Sequence, residues 1–429
     1  MRTLRFSDPD FSDATRFLDR HSEPGAEVHS TVTDIVQRIR TEGDAALFAL
    51  TQKFGGPKLD SETVRVSPEE IQDAVSRVTE ETKTAIAAAH LNVKTFAEKS
   101  RRNDWSGRNA QGVEVGERFD PFQRVGIYVP GGTAPLVSTA VMTCTLAAVA
   151  GVPEIVVATP AGLDGKVNDA LLFALQYAGA TEIYKVGGAQ AVAALAFGTE
   201  SIRPVAKIYG PGNAYVVEAK RQVFGRVAVD LLPGPSEIFV IADDSARAAW
   251  VASDLLAQAE HGHNSMVVLA TDSAELLAAV QQEVTAQAAK LSRRAHVDEV
   301  LNGSTYLVLV KTLGDAVALC NAFAPEHASV VTRQDDAIAA QLRTTGAIFL
   351  GGYSPVVGGD FVAGPSHELP TGGAGKSFPG LTVDQFQRRT SLVRFNAESL
   401  RASLPVIQAF SSIEGLDAHG RSAEIRLED

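Results

Sequence analysis

From Val125 onward the sequence repeats one short pattern: a β-branched run, a turn rich in Gly and Pro, and an Ala-rich helical stretch. Such alternation is typical of βα units, whose parallel strands form a sheet covered by helices on both faces. Two sets of five strands are predicted: Gly126 to Val129, Glu154 to Thr159, Glu182 to Val186, Lys207 to Tyr209 and Val227 to Leu231, then Glu237 to Ala242, Met266 to Ala270, Tyr306 to Val310, Ser329 to Val331 and Ala347 to Leu350. The pattern therefore predicts an α/β fold with two parallel sheets, divided near Pro233-Gly234-Pro235.

The segments outside this repeat have a different texture. Residues 1 to about 120 show amphipathic helical spacing, most clearly at Val32 to Leu50 and Glu69 to Lys99. Residues 351–380 contain nine glycines and four prolines, too many for regular structure, and so long a loop in a compact domain is usually functional or disordered. Residues 383–429 return to polar, helical texture. We therefore expect helical segments at both ends of the chain.

Charge and cysteine content narrow the functional classes. The 429 residues include 39 Lys and Arg against 51 Asp and Glu, a net charge of −12, so the surface repels nucleic acid and we expect no nucleic-acid partner. Two cysteines, Cys144 and Cys320, cannot form a disulfide framework, which favours a reducing compartment and a cytoplasmic protein. Cys144 has the spacing of a packed core thiol rather than a nucleophile.

A membrane location is not expected either. The first residues lack the apolar core of a secretion signal. The uncharged stretch of residues 125–153 is long enough to span a bilayer, but Pro130, Gly131, Gly132 and Pro135 interrupt it. A buried strand, loop and helix fit this stretch better.

Three strand ends open into loops of small residues: Tyr128 to Gly132, Gly187 to Gln190 and Gly210 to Asn213. Ligands of open parallel sheets bind at the carboxyl ends of strands, and glycine lets the backbone approach them. A nucleotide crevice and ordinary tight turns explain these loops equally well. Gly372 to Ser377 resembles a phosphate-binding loop, but Pro370 stands where that motif needs its first glycine, which argues against ATP.

A mixed set of nitrogen and oxygen donors suggests a metal site. Gln258 and His261 are three residues apart at the predicted end of a helix over Ser245 to Glu260, which an Asp would cap and Gly262 would stop. Alone, His261 is better explained by the helix dipole. Further donors elsewhere would reverse that choice, and Asp360, His367 and His419 are candidates in loop or tail segments. Two imidazoles, one carboxylate and one amide would suit Zn²⁺.

Glu326 and His327 follow Pro325 between a helical stretch and a β run. At a turn, adjacent side chains can face one cavity, and histidine is the natural proton acceptor near neutral pH. On these two residues alone, an exposed Glu-His pair without function is the more frequent situation.

Together these residues resemble the histidinol dehydrogenase family over nearly the whole chain. Seven segments carry the resemblance: Tyr128 to Gly132, Val186 to Ala191, Tyr209 to Asn213, Gly234 to Glu237, Gln258 to His261, Pro325 to His327 and Gly364 to Thr371. The resemblance implies oxidation of L-histidinol to L-histidine by two NAD⁺ through bound histidinal, the last step of histidine biosynthesis. It also implies one Zn²⁺ per subunit and a homodimer whose large domains resemble incomplete Rossmann folds.

The resemblance also implies roles for individual residues. The zinc ligands would be Gln258, His261, Asp360 and His419, which also contact the substrate. NAD would lie near Tyr128, Gln190 and Asn213. The substrate would further contact Ser236, His327, His367 and Glu414, and Glu326 with His327 would be the acid-base pair. Glu414 and His419 would come from the partner subunit, whereas His263 is expected to be a bystander.

The resemblance implies three parts of the chain. Residues 1–127 and 236–380 would form a discontinuous Rossmann-like domain, with a helical N-terminal part, that carries the zinc and the Glu-His site. Residues 128–235 would form the NAD-binding domain, and residues 381–429 would reach the partner's active site. A related zinc- and NAD-dependent dehydrogenase of another small amino- or hydroxy-alcohol is the alternative, but it need not retain His367 and Glu414.

Overall fold

The structure is a computed structural model that describes residues 1–18, 20, 25–131, 135–262 and 264–428. The strands are β1 (Arg2–Arg5), β2 (Trp105–Arg108), β3 (Glu114–Pro121), β4 (Arg124–Tyr128), β5 (Glu154–Ala158), β6 (Glu182–Tyr184), β7 (Lys207–Tyr209), β8 (Ala228–Val229), β9 (Glu237–Ala242), β10 (Met266–Thr271), β11 (Thr305–Leu309), β12 (His327–Val331), β13 (Ala347–Leu350) and β14 (Gln387–Arg394).

The α-helices alternate with these strands and extend beyond them at both ends. They are α1 (Phe11–Ala14), α2 (Ala26–Glu42), α3 (Asp44–Lys53), α4 (Pro68–Arg77), α5 (Glu80–Ser100), α6 (Val137–Ala150), α7 (Asp169–Tyr177), α8 (Gly188–Phe197), α9 (Ala214–Val223), α10 (Ala248–Ala259), α11 (Ala274–Ala288), α12 (Arg294–Gly303), α13 (Leu313–Phe323), α14 (Asp335–Ala339), α15 (Val356–Phe361), α16 (Ala397–Glu414) and α17 (Asp417–Glu424). Short 3₁₀ helices cover Thr15–Leu18, Ala374–Lys376, Val383–Phe386 and Ile425–Leu427. None of the described helices is long and apolar enough to cross a membrane.

Both predicted sets of strands form parallel sheets, so the predicted α/β class is confirmed. One sheet has the order β6-β5-β4-β7-β8, and the other has the order β1-β11-β10-β9-β12-β13. In each, the order reverses beside the first strand of its set, between β4 and β7 and between β9 and β12. Each set of five strands thus has the order of the first five strands of a Rossmann sheet. The reversal is the switch point at which a crevice opens.

Four strands were not predicted. β1 adds to the edge of the six-stranded sheet, and β2, β3 and β14 form a separate antiparallel sheet. The prediction that the first 120 residues are helical is wrong at β1, β2 and β3, and the same prediction for the last segment is wrong at β14. The reason is that β2 and β14 are largely exposed, so neither has the buried alternate face that makes a strand visible in sequence.

The amphipathic stretches near the N-terminus are each two helices rather than one. Gly43, at φ 56°, separates α2 from α3, a left-handed conformation that favours glycine. Thr79 begins α5 by accepting a hydrogen bond from the Thr82 N–H. Helices α2 and α3 pack on α8, whereas α4 and α5 pack on α7 and α6. These four helices therefore form an outer layer over the helices that flank the five-stranded sheet.

The core follows the two parallel sheets. Along β9, Ile238 and Val240 belong to one apolar cluster and Phe239 and Ile241 to another, because successive side chains of a strand point to opposite faces. Cys144 is fully buried in the core of the five-stranded unit, and burial raises the pKa of its thiol to about 12. The prediction of a packed, unreactive thiol is confirmed.

The Gly-rich segment of residues 351–380 contains more regular structure than expected. α15 lies within it, and so does the 3₁₀ helix Ala374–Lys376. Gly359 sits in α15 where an added Cβ would lie 2.5 Å from the Phe349 ring. Glycine therefore allows α15 to approach β13 closely, which fixes the position of the next residue, Asp360.

Candidate active site

Polar residues meet at the amino ends of two neighbouring strands. Ser236 and Glu237 stand at the start of β9, and Glu326 and His327 stand at the start of β12. These strands pair in parallel, with His327 opposite Ile238. The four residues therefore lie at the switch point of the six-stranded sheet, but at the edge opposite to the carboxyl ends where such sheets usually bind ligands.

Glu326 is a buried carboxyl group held in one orientation. Its Oε2 accepts hydrogen bonds from the Ser236 hydroxyl and, at 2.9 Å, from the Glu237 N–H. Burial raises the pKa of Glu326 to about 7, although both hydrogen bonds favour the charged form. A carboxyl group with this pKa can accept and release a proton near neutral pH.

His327 is buried beside it and is oriented by the same strand. Its Nδ1 lies 3.1 Å from the Glu237 carbonyl oxygen and 3.6 Å from Oε2 of Glu326. Because a carbonyl oxygen only accepts hydrogen bonds, Nδ1 carries the ring proton and Nε2 keeps its lone pair. Burial also lowers the pKa of His327. Nε2 is therefore the ring nitrogen available as a base, and it lies 3.8 Å from Oδ1 of Asp360.

Three of the four predicted zinc ligands come from α10, the turn after it, and α15. His261 donates from Nδ1 to the Ala257 carbonyl at 3.1 Å, which leaves Nε2 free at 4.0 Å from Oδ2 of Asp360. One ion at ordinary zinc-ligand distances of about 2.0–2.2 Å can bridge two such atoms. Within the described ranges, no group of three or more His, Cys, Asp and Glu side chains is arranged to hold a metal. A metal here therefore needs a further donor, such as an amide.

Gln258 supplies an amide next to these donors and connects them to the base pair. Its Nε2 lies 2.5 Å from the Ser236 Oγ, and that hydroxyl donates to Glu326. With the nitrogen occupied in this way, Oε1 is the atom left for a cation. Gln258, Ser236 and Glu326 thus form one hydrogen-bonded chain.

The helix that carries Gln258 begins later than predicted. α10 starts at Ala248 instead of Ser245, and its N-cap residue, Arg247, makes no capping hydrogen bond. The predicted Asp cap is wrong because Asp243 accepts instead from the Ser245 and Arg333 N–H groups. The helix ends at Ala259, so His261 lies in the turn that follows it.

His367 adds a positive charge to the site. Its Nδ1 lies 2.9 Å from the Asp360 carbonyl, and its Nε2 lies 3.4 Å from Oε1 of Glu368. Burial alone would lower the pKa of His367, but the hydrogen bond and the charge of Glu368 raise it to about 9. Thr139 of α6 donates to the same carboxylate at 3.3 Å, so the five-stranded unit contacts the site here. Sequence reasoning assigned no role to Glu368 or Thr139.

Two predicted residues lie apart from the others, and one predicted bystander is outside the described residues. Glu414 ends α16 and His419 lies in α17, two helices that pack on each other, and both residues are exposed. Among the described side chains, no hydrogen bond or ion pair links either residue to Gln258, His261 or Asp360. His263 is not among the described residues.

The predicted cofactor residues lie at the carboxyl edge of the five-stranded sheet. Tyr128 ends β4, and its hydroxyl accepts a hydrogen bond from the Gly188 N–H at 3.2 Å. Gln190 is buried in α8. Asn213 begins α9, where its Oδ1 accepts from two N–H groups of the first turn. The loops after β4 and β7 are neighbours at the switch point, where a dinucleotide crevice is expected.

A buried ion pair that sequence reasoning missed holds the loop before Asn213. The Gly210 N–H donates to Asp230 at 2.7 Å, and its carbonyl accepts from Nζ of Lys220 at 2.9 Å. Lys220 and Asp230 also pair with each other, and their side chains are 1% and 2% exposed. Gly210 has φ 104°, and a Cβ there would overlap the Tyr128 carbonyl. Glycine is required because the two loops touch.

Comparison with known proteins identifies the family of this chain. The family described as histidinol dehydrogenase matches residues 18–427. The chain belongs to the histidinol dehydrogenase family. A histidinol dehydrogenase of Bradyrhizobium diazoefficiens is 44% identical over 411 residues, which cover 96% of this chain and 95% of that protein. That of Geobacillus kaustophilus is 43% identical over 412 residues, 96% of this chain and 97% of that one.

A solved member of the histidinol dehydrogenase family has the same fold. The crystal structure of the histidinol dehydrogenase from Elizabethkingia anophelis superposes with a TM-score of 0.95 at 33% sequence identity. The match covers 100% of this chain and 98% of that one. The family resemblance found in the sequence is therefore confirmed over the full length of the fold.

Proposed function

We propose that this chain oxidises L-histidinol to L-histidine in two successive NAD⁺-dependent steps, with L-histidinal bound between them. Membership of the histidinol dehydrogenase family supports this activity. The observation that carries the proposal is the adjacent pair of bases, Glu326 and His327, with different hydrogen bonding. Alcohol oxidation needs one base, whereas aldehyde oxidation needs a second to activate water.

One Zn²⁺ per subunit would be held by Gln258, His261 and Asp360, with His419 of the partner subunit. The fit rests on the free Nε2 of His261, its separation from Asp360 and the unused amide oxygen of Gln258. When bound, the zinc ion would act as a Lewis acid that binds the imidazole and amine of the substrate and so orients it. NAD⁺, held near Tyr128, Gln190 and Asn213, would accept the hydride.

In the first oxidation, the residues of this chain orient the alcohol and remove its proton. His327 accepts the hydroxyl proton at Nε2 as a hydride leaves the carbon that bears this hydroxyl group. That carbon becomes the aldehyde carbon of histidinal. Ser236 and His367 of this chain contact the substrate, and so does Glu414 of the partner subunit. The charge of His367 favours a bound group that is negative or accepts hydrogen bonds.

In the second oxidation, Glu326 accepts a proton from water as the water oxygen adds to the aldehyde. His327, which was protonated in the first oxidation, donates that proton to the aldehyde oxygen, so the product is a neutral hydrate with two hydroxyl groups. His327 then accepts one hydroxyl proton as the second hydride leaves, which produces the carboxylic acid. Each residue returns its proton to solvent before the next turnover. The two bases thus have separate tasks although they are neighbours in the chain.

The overall reaction is tested by counting NADH. Each histidinol consumed should produce two NADH, with histidine as the product. A related dehydrogenase of another amino alcohol would produce no NADH from histidinol under conditions in which it oxidises its own substrate.

The acid limb of the pH profile should depend on Glu326. Because burial raises its pKa to about 7, the carboxyl group gains a proton as pH falls, and kcat/KM for histidinal should drop about tenfold per pH unit below that pKa. Nearby Zn²⁺ would lower this pKa, so the limb should lie at or below about pH 7. In Glu326→Gln the acid limb of the kcat/KM profile should move to lower pH, because His327 is then the one base of the pair that still gains a proton. An unchanged limb in this variant would assign it to another group.

We also propose a homodimer with shared active sites. The support is that α16, which carries Glu414 and packs on the helix of His419, exposes large apolar side chains, with Phe410 59% and Ile413 80% exposed. Apolar surface of this kind marks an interaction site, and a symmetric exchange would bring each tail to the partner.

Mixed dimers of His261→Asn and His419→Asn subunits should recover activity. A dimer of either variant alone would be inactive, because each of its sites carries one of the changes. A mixed dimer has one site with both changes and one site with neither. The measurement is NADH formation after the two variants are unfolded and refolded together, with each variant refolded alone as the control. Mixed dimers that form without any recovery would rule out shared sites.

The domain division and the location are further proposals. We retain residues 128–235 as the NAD-binding part and residues 236–380 as the zinc and Glu-His part, with residues 381–429 as the exchanged tail. Because α2 to α5 pack on the helices that flank the five-stranded sheet, we group these helices with the NAD-binding part, whereas β1 joins the six-stranded sheet. The two cysteines are unbonded, which supports a cytoplasmic location.

A further inference from the structure

One buried residue contacts both members of the acid-base pair through its main chain. The N–H of Glu237 donates to Oε2 of Glu326 at 2.9 Å, and its carbonyl accepts from Nδ1 of His327 at 3.1 Å. The first contact orients the carboxylate, and the second determines which nitrogen of the imidazole is free. A small rotation of the Glu237 peptide groups would therefore disturb both bases at once.

The Glu237 side chain is anchored on the other side by groups that have no proposed role. It is 2% exposed, and its Oε1 accepts from the Arg20 guanidinium and, at 2.9 Å, from the Gly372 N–H. Its Oε2 is buried and has no hydrogen-bond partner among the described residues. A buried carboxylate with so few partners depends on its ion pair. Arg20 is therefore the group that holds the Glu237 carboxyl group in position.

Arg20 also holds the chain that leads to Glu326. Its Nη2 donates to the Phe323 carbonyl at 2.7 Å, and its guanidinium carbon lies 3.4 Å from the centre of the Phe323 ring. The next residue, Ala324, has φ 51°, a conformation that is unfavourable for residues with a side chain and needs support from its surroundings. Arg20 thus joins the start of β9 to the connection between α13 and β12.

We propose that Arg20 and Glu237 are positioning residues for the acid-base pair. The ion pair holds the Glu237 peptide groups and the segment from Phe323 to Glu326 in one arrangement, in which Glu326 and His327 face the same substrate. This inference rests on the proposed function of those two bases. The proposed NAD⁺ loops are not involved, because they belong to the five-stranded sheet.

The test compares Arg20→Met and Glu237→Gln with matched changes in another buried ion pair. Arg124 is 9% exposed in its side chain and pairs with Glu182, whereas Arg20 is 12% exposed, and Arg124 lies at the amino end of β4, away from both proposed sites. Arg124→Met and Glu182→Gln therefore control for the general effect of breaking such a pair. All variants are assayed as the zinc-loaded full chain for both half-reactions, KM for NAD⁺, zinc content and Tm.

Both site variants should lower kcat in both half-reactions by about 10- to 100-fold, the effect expected when reacting groups are misplaced. KM for NAD⁺ and zinc content should stay within about twofold of the wild-type values, since the described side-chain contacts of Arg20 and Glu237 include none of the proposed NAD⁺ or zinc residues. The control variants should lower Tm but leave kcat per folded molecule unchanged. Arg20→Met with Glu237→Gln should lose no more than either alone, because the two residues act as one unit.

Three results would overturn the proposal: a kcat loss no greater than in the controls, losses that multiply in the double variant, or a rise in KM for NAD⁺ with normal kcat. If Arg20→Met does not fold, Arg20→Lys is used, which keeps the charge and should retain more activity than Glu237→Gln.

Glu326→Gln is measured beside these variants. Normal histidinal oxidation in Glu326→Gln would reject the proposed role of Glu326 as a base, on which this inference rests, whereas impaired oxidation there with normal Arg20 variants would reject only the positioning role.

Discussion

Glu326→Gln should slow the oxidation of histidinal by about 10²- to 10³-fold, which is within the range that a general base contributes. The rate of the first hydride transfer from histidinol should stay within about tenfold of wild type. Glutamine keeps the size and the hydrogen bond from the Glu237 N–H, but it cannot accept a proton from water. His327→Asn should slow both half-reactions by about 10²- to 10⁴-fold, because each oxidation releases a hydroxyl proton.

Two measurements separate these effects. Single-turnover formation of the first NADH from histidinol reports the alcohol step, and steady-state turnover of supplied histidinal reports the aldehyde step. Equal losses in both steps for Glu326→Gln would show that Glu326 serves both steps or only positions His327. Zinc content should be normal in both variants, because neither residue is a proposed ligand.

His261→Asn should weaken zinc binding by more than about 100-fold, since even the outer partners of metal ligands contribute 10- to 100-fold. The variant loses the free Nε2 that lies 4.0 Å from Asp360. Histidinol binding and activity should fall with the metal, because the proposed ion holds the substrate. Asp360→Asn should act in the same direction by removing the charge that favours a cation.

The matched control for this experiment is His367→Asn. The hydrogen bond between His367 and Asp360 goes to the main-chain carbonyl and leaves the Asp360 carboxylate free for a cation, so this variant should keep its zinc and lose affinity for histidinol. Zinc content after dialysis, measured with histidinol affinity, distinguishes the two cases. If His261→Asn bound zinc and oxidised histidinol like wild type, the ligand assignment would be wrong, and His263 would be tested next.

Local sequence pattern was sufficient for the two parallel sheets. A fully buried strand such as β9 needs apolar residues on both faces, and that requirement leaves a continuous run that is visible without any knowledge of its neighbours. The antiparallel sheet left no such run, because β14 is mostly exposed and pairs with β3, some 270 positions earlier in the chain. Pairing over that separation depends on how the rest of the chain has folded.

The candidate site shows the same division. Residue types and spacing made Gln258, His261, Glu326 and His327 candidates, since amide, imidazole and carboxyl groups can bind metals or move protons. The roles of these residues came from the family resemblance, because spacing alone favoured a helix-end histidine and an exposed Glu-His pair. Their arrangement could not be derived in this way. The sequence favoured the carboxyl edges of sheets, whereas this base pair lies at the amino edge of the six-stranded sheet, because Ser236 and Glu326 precede strands that become neighbours only in the fold.

The sequence alone determined the fold class, the family and the residue types available for catalysis, because each of these depends on local pattern or on short motifs. Only the tertiary structure decided that Glu326 has a pKa near neutrality and that His327 presents Nε2, since burial and the Glu237 peptide groups produce both properties. It also decided that Arg20 pairs with Glu237 across 217 positions of chain. A charged side chain in sequence has no partner until distant strands and loops are brought together, and that placement decides what the charge does.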